Sequence, residues 1–149
     1  MNNIGIHYQA LLELTLLNCS FSLIRGASTL EINGDIDIVV SDFDKCKSIL
    51  ESLGYTLFKS SSHNHKYIKF DINFGEWIHM DVHTAICIAN IVAPKSYTDE
   101  LINTSFKDKN KIPRLDKSHE LILLFLHVAL NKGFIAKKYN SFIYDSDLN

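Results

Sequence analysis

The chain has 149 residues, of which 46% are hydrophobic and 21% charged, with a formal net charge of −2. That length fits one domain able to bury a core without staples, and that composition excludes a disordered chain. The near-neutral charge argues against a dedicated polyanion binder, while leaving room for a local basic patch.

Residues 3–18 read as a helix, because Ile4, Tyr8, Leu11 and Leu12 fall at helical spacing. A short strand is expected over 21–25. Gly26-Ala27-Ser28 breaks the pattern, and a brief helical turn through Leu30 follows. Asn33-Gly34 is a turn signal that delivers the chain into a strand over 35–40. Ser41 is placed to cap the next helix, whose face Phe43, Cys46, Leu50 and Leu53 runs to a stop at Gly54. Strands are expected over 55–59, 67–74 and 77–83, the last two as a hairpin about Gly75. A short helix over 96–104 follows, then a basic loop over 107–117 that contains Pro113. The apolar run from Leu121 to Leu130 predicts a helix over 118–132 that is buried on most sides. The tail 139–149 is polar.

This order predicts an α/β (α+β) fold with a mixed, mostly antiparallel sheet and helices on one face. Residues 1–95 would form the core, and 96–149 a short helical appendage with a polar tail. The three cysteines, Cys19, Cys46 and Cys87, sit in apolar surroundings without CxxC spacing. They read as buried free thiols in a reducing compartment rather than as a zinc site or a disulfide framework. No basic stretch precedes an apolar run at the start, and no apolar segment is long enough for a bilayer. The expectation is a cytoplasmic protein with no membrane partner.

The chemistry concentrates in Gly34-Asp35-Ile36-Asp37-Ile38-Val39-Val40. Side chains alternate across a strand, so Asp35 and Asp37 share one face while Ile36, Ile38 and Val40 face a core. Neighbouring like charges repel, and a divalent cation would relieve them. A third acid, Asp81 in Met80-Asp81-Val82, stands in similar company. The set points to a magnesium site on the open face of the sheet, where a ligand would sit. The competing reading is an edge strand whose acids discourage aggregation.

Arg25-Gly26-Ala27-Ser28, Gly34-Asp35-Ile36-Asp37-Ile38, Leu53-Gly54-Tyr55 and Met80-Asp81-Val82-His83 together resemble the nucleotidyltransferase superfamily with the DNA polymerase beta-like fold. Within it, the likeness is to uncharacterised bacterial nucleotidyltransferase-like proteins. It covers roughly residues 20–85, with support from the helix over 118–132. The resemblance implies a nucleotidyltransferase-like fold and a nucleoside triphosphate, such as ATP, as substrate. It implies that magnesium, as two ions, assists transfer of a nucleotidyl group to an acceptor with loss of pyrophosphate. By position, Asp35, Asp37 and Asp81 would be metal ligands and catalytic residues, with Asp81 also a general base. Gly26 and the amides of Ala27 and Ser28 would cradle phosphates, Arg25 would face the leaving pyrophosphate, and Gly34, His65 and His83 would complete the cofactor-binding set. The acceptor could be a protein hydroxyl, a small molecule or an RNA end.

Two departures stand out. Many members carry Gly-Ser or Gly-Gly in the turn, whereas here Gly26 is followed by Ala27, with Ser28 one place later. The chain is also short after residue 133. A second subunit, as in a homodimer, or the acceptor itself would then supply the missing wall.

Other residues carry two readings each. His83 shares a face with Asp81 and either orients it, contacts substrate, or is an ordinary hydrogen-bonded histidine. His63 and His65 lie in a polar segment that either folds over phosphates or is a plain surface loop. His127 either faces the cleft or is a satisfied core histidine. Trp77 and Tyr67 either stack a base or pack within the hairpin. The basic segment Lys107, Lys109, Lys111, Arg114 and Lys117 either guides an anionic acceptor or is a solvated loop.

Three functions therefore compete. The first is magnesium-dependent nucleotidyl transfer. The second is a non-catalytic module of the same fold that binds nucleotide or a partner. The third is a metal-dependent phosphohydrolase with water as acceptor.

Overall fold

The computed structural model describes residues 6–25, 35–73 and 75–132. Helix α1 (Ile6–Leu16) leads into β1 (Phe21–Arg25), β2 (Ile36–Val40), α2 (Phe43–Ser52), β3 (Thr56–Ser60), β4 (Asn64–Asp71) and β5 (Glu76–His83). A small hairpin of β6 (Cys87–Ile88) and β7 (Ile91–Val92) follows. Next come α3 (Lys95–Asn103), β8 (Phe106–Lys107), β9 (Pro113–Arg114) and α4 (Lys117–His127), which ends in a π-helical turn over Val128–Lys132. No helix among the described residues is long and apolar enough to cross a membrane.

Seven strands form one mixed, mostly antiparallel sheet in the order β3-β4-β5-β2-β1-β9-β8. The parallel pairs are β2 with β5 and β1 with β9. The α/β fold with this sheet is the expected one and is compatible with a nucleotidyltransferase-like architecture.

Alternation explains the layers. Ile36, Ile38 and Val40 of β2 join Ile78, Met80 and Val82 of β5, with Tyr67 of β4, in one core under α1 and α2. Leu11 and Leu14 of α1 and Cys46 and Leu50 of α2 close that core. Each such side chain contributes about 1.5–3 kcal/mol when removed from water. The helix α2 starts at Asp42, whose carboxylate accepts from the Lys45 N–H at 3.0 Å. Asp42, not Ser41, is thus the cap. Gly54 ends the helix region at φ +84°, a conformation that glycine tolerates without penalty. The hairpin at Gly75 has φ +68°.

The second face is not uniformly open. Val39 turns away from the first core and meets Ile24, Ile86, Leu101 of α3 and Leu123 of α4 in a second cluster. Helices therefore cover part of this face too. The sheet also extends past residue 95. The segment expected as a basic loop contributes β8 and β9, and Leu23 of β1 lies opposite Arg114. Pro113 is tolerated there because the pairing is only two residues long and lies toward the sheet margin.

Two further expectations are corrected. Cys19 and Cys46 are buried, but Cys87 is exposed at the β6–β7 hairpin, and all three are free. Helix α4 is amphipathic rather than buried on most sides: Leu123 and Leu124 are inside, while Ile122, Phe125 and Leu126 are exposed. Of its inward residues, Leu123 joins the second cluster.

Candidate functional site

Strand β2 is central in the sheet and is buried on both faces at Val39. One step earlier it carries a half-buried carboxylate, Asp37. The parallel ladder sets Asp37 directly opposite Asp81 of β5. Both side chains leave the sheet away from the α1/α2 core, because their neighbours Ile36, Ile38, Met80 and Val82 fill it. Carboxylates on strands about 4.8 Å apart at an effective dielectric of 20 repel by about 3 kcal/mol. The fold retains this pair on its half-open face.

Two cationic or protonatable groups stand beside it. His83 Nε2 lies 3.2 Å from Asp37 Oδ1, and the ring is the donor because a carboxylate only accepts. Lys66 of β4 lies opposite Asp81 in the antiparallel ladder, with Nζ 3.5 Å from Asp81 Oδ1. Burial raises the Asp81 pKa above the usual carboxylate range; Lys66 pulls it back, and Asp37 pushes it up further. Asp81 Oδ1 is buried without a hydrogen-bond partner.

Other expected residues are distributed unevenly. Asp35 is exposed and lies just before β2. Arg25 ends β1 with its Cα opposite Asp37, after an irregularity between Leu23 and Arg25. Gly26, Ala27, Ser28 and Gly34 lie outside the described residues. His65 turns to the helix-covered side, because it pairs with Val82 in the ladder. Its Nδ1 is 2.8 Å from Ser60 Oγ and its ring stacks on Phe43 at 4.0 Å. Burial holds the His65 pKa below its ordinary value, and His63 and His83 add to the effect. Tyr67 is fully buried in the first core, which removes it from any stacking role. Trp77 is 58% exposed and meets Phe70 edge-on at 5.3 Å, on the same sheet face as Asp81.

Beside His83 the second cluster leaves a small open cleft. Ile24, Ile86 and Leu123 line it with His83 and His127, so His127 reaches the cleft. In the basic segment, Arg114 is occupied by Asp108 at 3.6 Å.

Lys66 was not singled out by sequence, which placed it in a polar loop before a strand beginning at 67. The signal was present: the alternation of Tyr67 and Ile68 continues backward through Lys66 and His65. The cleft wall has no local signal. Ile24, Ile86 and Leu123 are far apart in the chain and meet only through the second cluster.

The donor set fits a hard divalent cation. Two carboxylates of raised mutual repulsion converge, and one buried oxygen lacks a hydrogen bond. Among the described residues, no group of three or more His, Cys, Asp or Glu side chains is arranged to hold a metal by itself. A cation at this pair would complete its shell with water and phosphate oxygens, as magnesium commonly does.

Residues 25–142 match the family of uncharacterised nucleotidyltransferases, and the chain belongs to that family. No match was found among curated proteins or among solved structures.

Proposed function

We propose that this member of the uncharacterised nucleotidyltransferases is a magnesium-dependent enzyme acting on a nucleoside triphosphate. The acceptor oxygen attacks the α-phosphorus, the bond from that phosphorus to the bridging oxygen breaks, and pyrophosphate leaves. The acceptor proton passes to a carboxylate and then to water. The single observation that carries the reading is the side-by-side placement of Asp37 and Asp81 on the half-open sheet face.

Asp37 and Asp81 would hold the cation, with Asp35 reaching it from the start of β2. A cation bound by these carboxylates would supply charge neutralisation for the triphosphate. The protein's own groups have separable roles. His83 fixes the Asp37 rotamer through its 3.2 Å contact. Asp81, side by side with Asp37 on the half-open face, would take the acceptor proton. Gly26, Ala27 and Ser28, with Arg25, belong to the same proposal as the phosphate-binding residues.

One observation favours a second reading, nucleotide binding without transfer: only a carboxylate pair converges among the described residues. Triphosphate labelled at the α-phosphate separates the possibilities. Transfer releases unlabelled pyrophosphate and leaves the label on an acceptor. Hydrolysis leaves it on free nucleotide. A binding module shows a magnesium-dependent thermal shift with nucleotide and no product.

A further inference from the structure

The ion pair between Lys66 and Asp81 has an unusual balance. The two residues face each other across the β4–β5 ladder, so the contact is built into the sheet register. Yet Nζ stops 3.5 Å from Oδ1, well beyond the roughly 2.7–2.9 Å of a charge-assisted hydrogen bond. The Asp81 oxygen is buried and has no hydrogen bond, while the Lys66 side chain remains 31% exposed. The ammonium thus offsets the carboxylate charge through space and keeps contact with solvent. Four flexible bonds connect it to the strand, so it can leave without disturbing the ladder.

An ammonium and a divalent cation cannot share one carboxylate oxygen without strong repulsion. A cation that takes Asp81 Oδ1, the buried oxygen without a hydrogen bond, must therefore displace Lys66. The displaced ammonium stays on the open face, because β4 lies immediately beside β5 there. Its ladder partners are Asp81 on β5 and Lys59 on β3, His79 and His83 flank Asp81 on the same face, and the anion at hand in the proposed reaction is a phosphate.

We propose that Lys66 is an exchangeable counter-ion: it neutralises Asp81 in the cation-free protein, yields that carboxylate to the incoming cation, and then donates to the nucleotide's phosphates. This rests on the cation-site reading given above. It gives Lys66 opposite effects on two ligands. Removing it favours the cation alone and disfavours the cation with phosphate.

The test is a Mn²⁺ titration followed by electron paramagnetic resonance, on the wild type, Lys66→Met, Lys66→Arg and Asp81→Asn, with and without inorganic triphosphate. Lys66→Met should bind Mn²⁺ alone about two- to fivefold more tightly, the factor that a partly exposed ion pair corresponds to. It should bind the Mn²⁺–triphosphate complex more weakly than the wild type. Lys66→Arg, which keeps the charge, should stay near wild type for Mn²⁺ alone. A Lys66→Met protein that binds Mn²⁺ equally or more weakly, while Asp81→Asn loses binding, overturns the counter-ion role and leaves the cation site standing. Unchanged triphosphate affinity overturns the phosphate half of the proposal. Wild-type Mn²⁺ binding by Asp81→Asn instead overturns the site reading itself. Should the methionine variant misfold, Lys66→Gln carries the same comparison.

Discussion

Glu120 offers a sharp test of the second cluster, the packing that closes one side of the candidate site. It lies in the first turn of α4 and is buried near Leu123 and Leu124. Burial raises its pKa from 4.5 to about 7, although Arg114 acts in the opposite sense. A carboxyl whose folded pKa is raised binds its proton more firmly in the folded than in the unfolded state. Its contribution is therefore most favourable below the unfolded value. It declines as pH rises from 4.5 to about 7, and is constant above that. The difference of roughly 2.5 units corresponds to about 3 kcal/mol at 1.36 kcal/mol per unit. Glu120→Gln keeps the shape and removes the titration. Urea unfolding of both proteins across this range should show the variant gaining on the wild type as pH rises, by up to about 3 kcal/mol. Parallel stability profiles through that window would mean that Glu120 ionises as readily inside as in the open chain, which its burial forbids.

Other substitutions probe separate layers. Tyr67→Phe should be neutral or stabilising by up to about 1 kcal/mol, since the buried hydroxyl has no hydrogen-bond partner among the described residues; a loss above 2 kcal/mol in thermal or urea unfolding would show a hidden partner. Asp42→Ala should cost about 1 kcal/mol by removing the α2 cap, whereas Ser41→Ala should cost little, as comparison of the two unfolding midpoints will report. Asp81→Asn relieves repulsion within the carboxylate pair, but also removes the partner of Lys66. It should keep the fold, read by circular dichroism, while losing magnesium-linked stabilisation by nucleotide.

Much of the sheet was legible because alternation is a local signal. Ile36, Ile38 and Val40 announced a buried side, and that same pattern assigned Asp37 to the other. Met80-Asp81-Val82 repeated it on the strand that becomes its neighbour. What alternation does not reveal is which strands pair. The parallel register that sets Asp37 against Asp81 depends on a crossover through α2, β3 and β4, and so on long-range packing. The start of β4 was hidden for a local reason. His63, Asn64 and His65 are polar and follow three serines, which reads as loop, although the ladder with β5 recruits residues from Asn64 onward.

The margins were harder still. Phe106–Lys107 and Pro113–Arg114 are too short to show any period, and only their contact with β1 makes them strands. Helix α4 misled through sheer apolarity. Its composition implied burial all round, while its packing against the second cluster uses only one side. Ser41 and Asp42 are both good caps by type, and the choice between them turns on where the backbone begins to coil.

Joint action of Asp37 and Asp81 on a cation-bound triphosphate is read from pyrophosphate release from a nucleoside triphosphate in the presence of magnesium, comparing the wild type with Asp37→Asn and Asp81→Asn of equal foldedness. Release by the wild type alone, abolished in both variants and dependent on magnesium, is the predicted result. Undiminished release from either variant would contradict the claim.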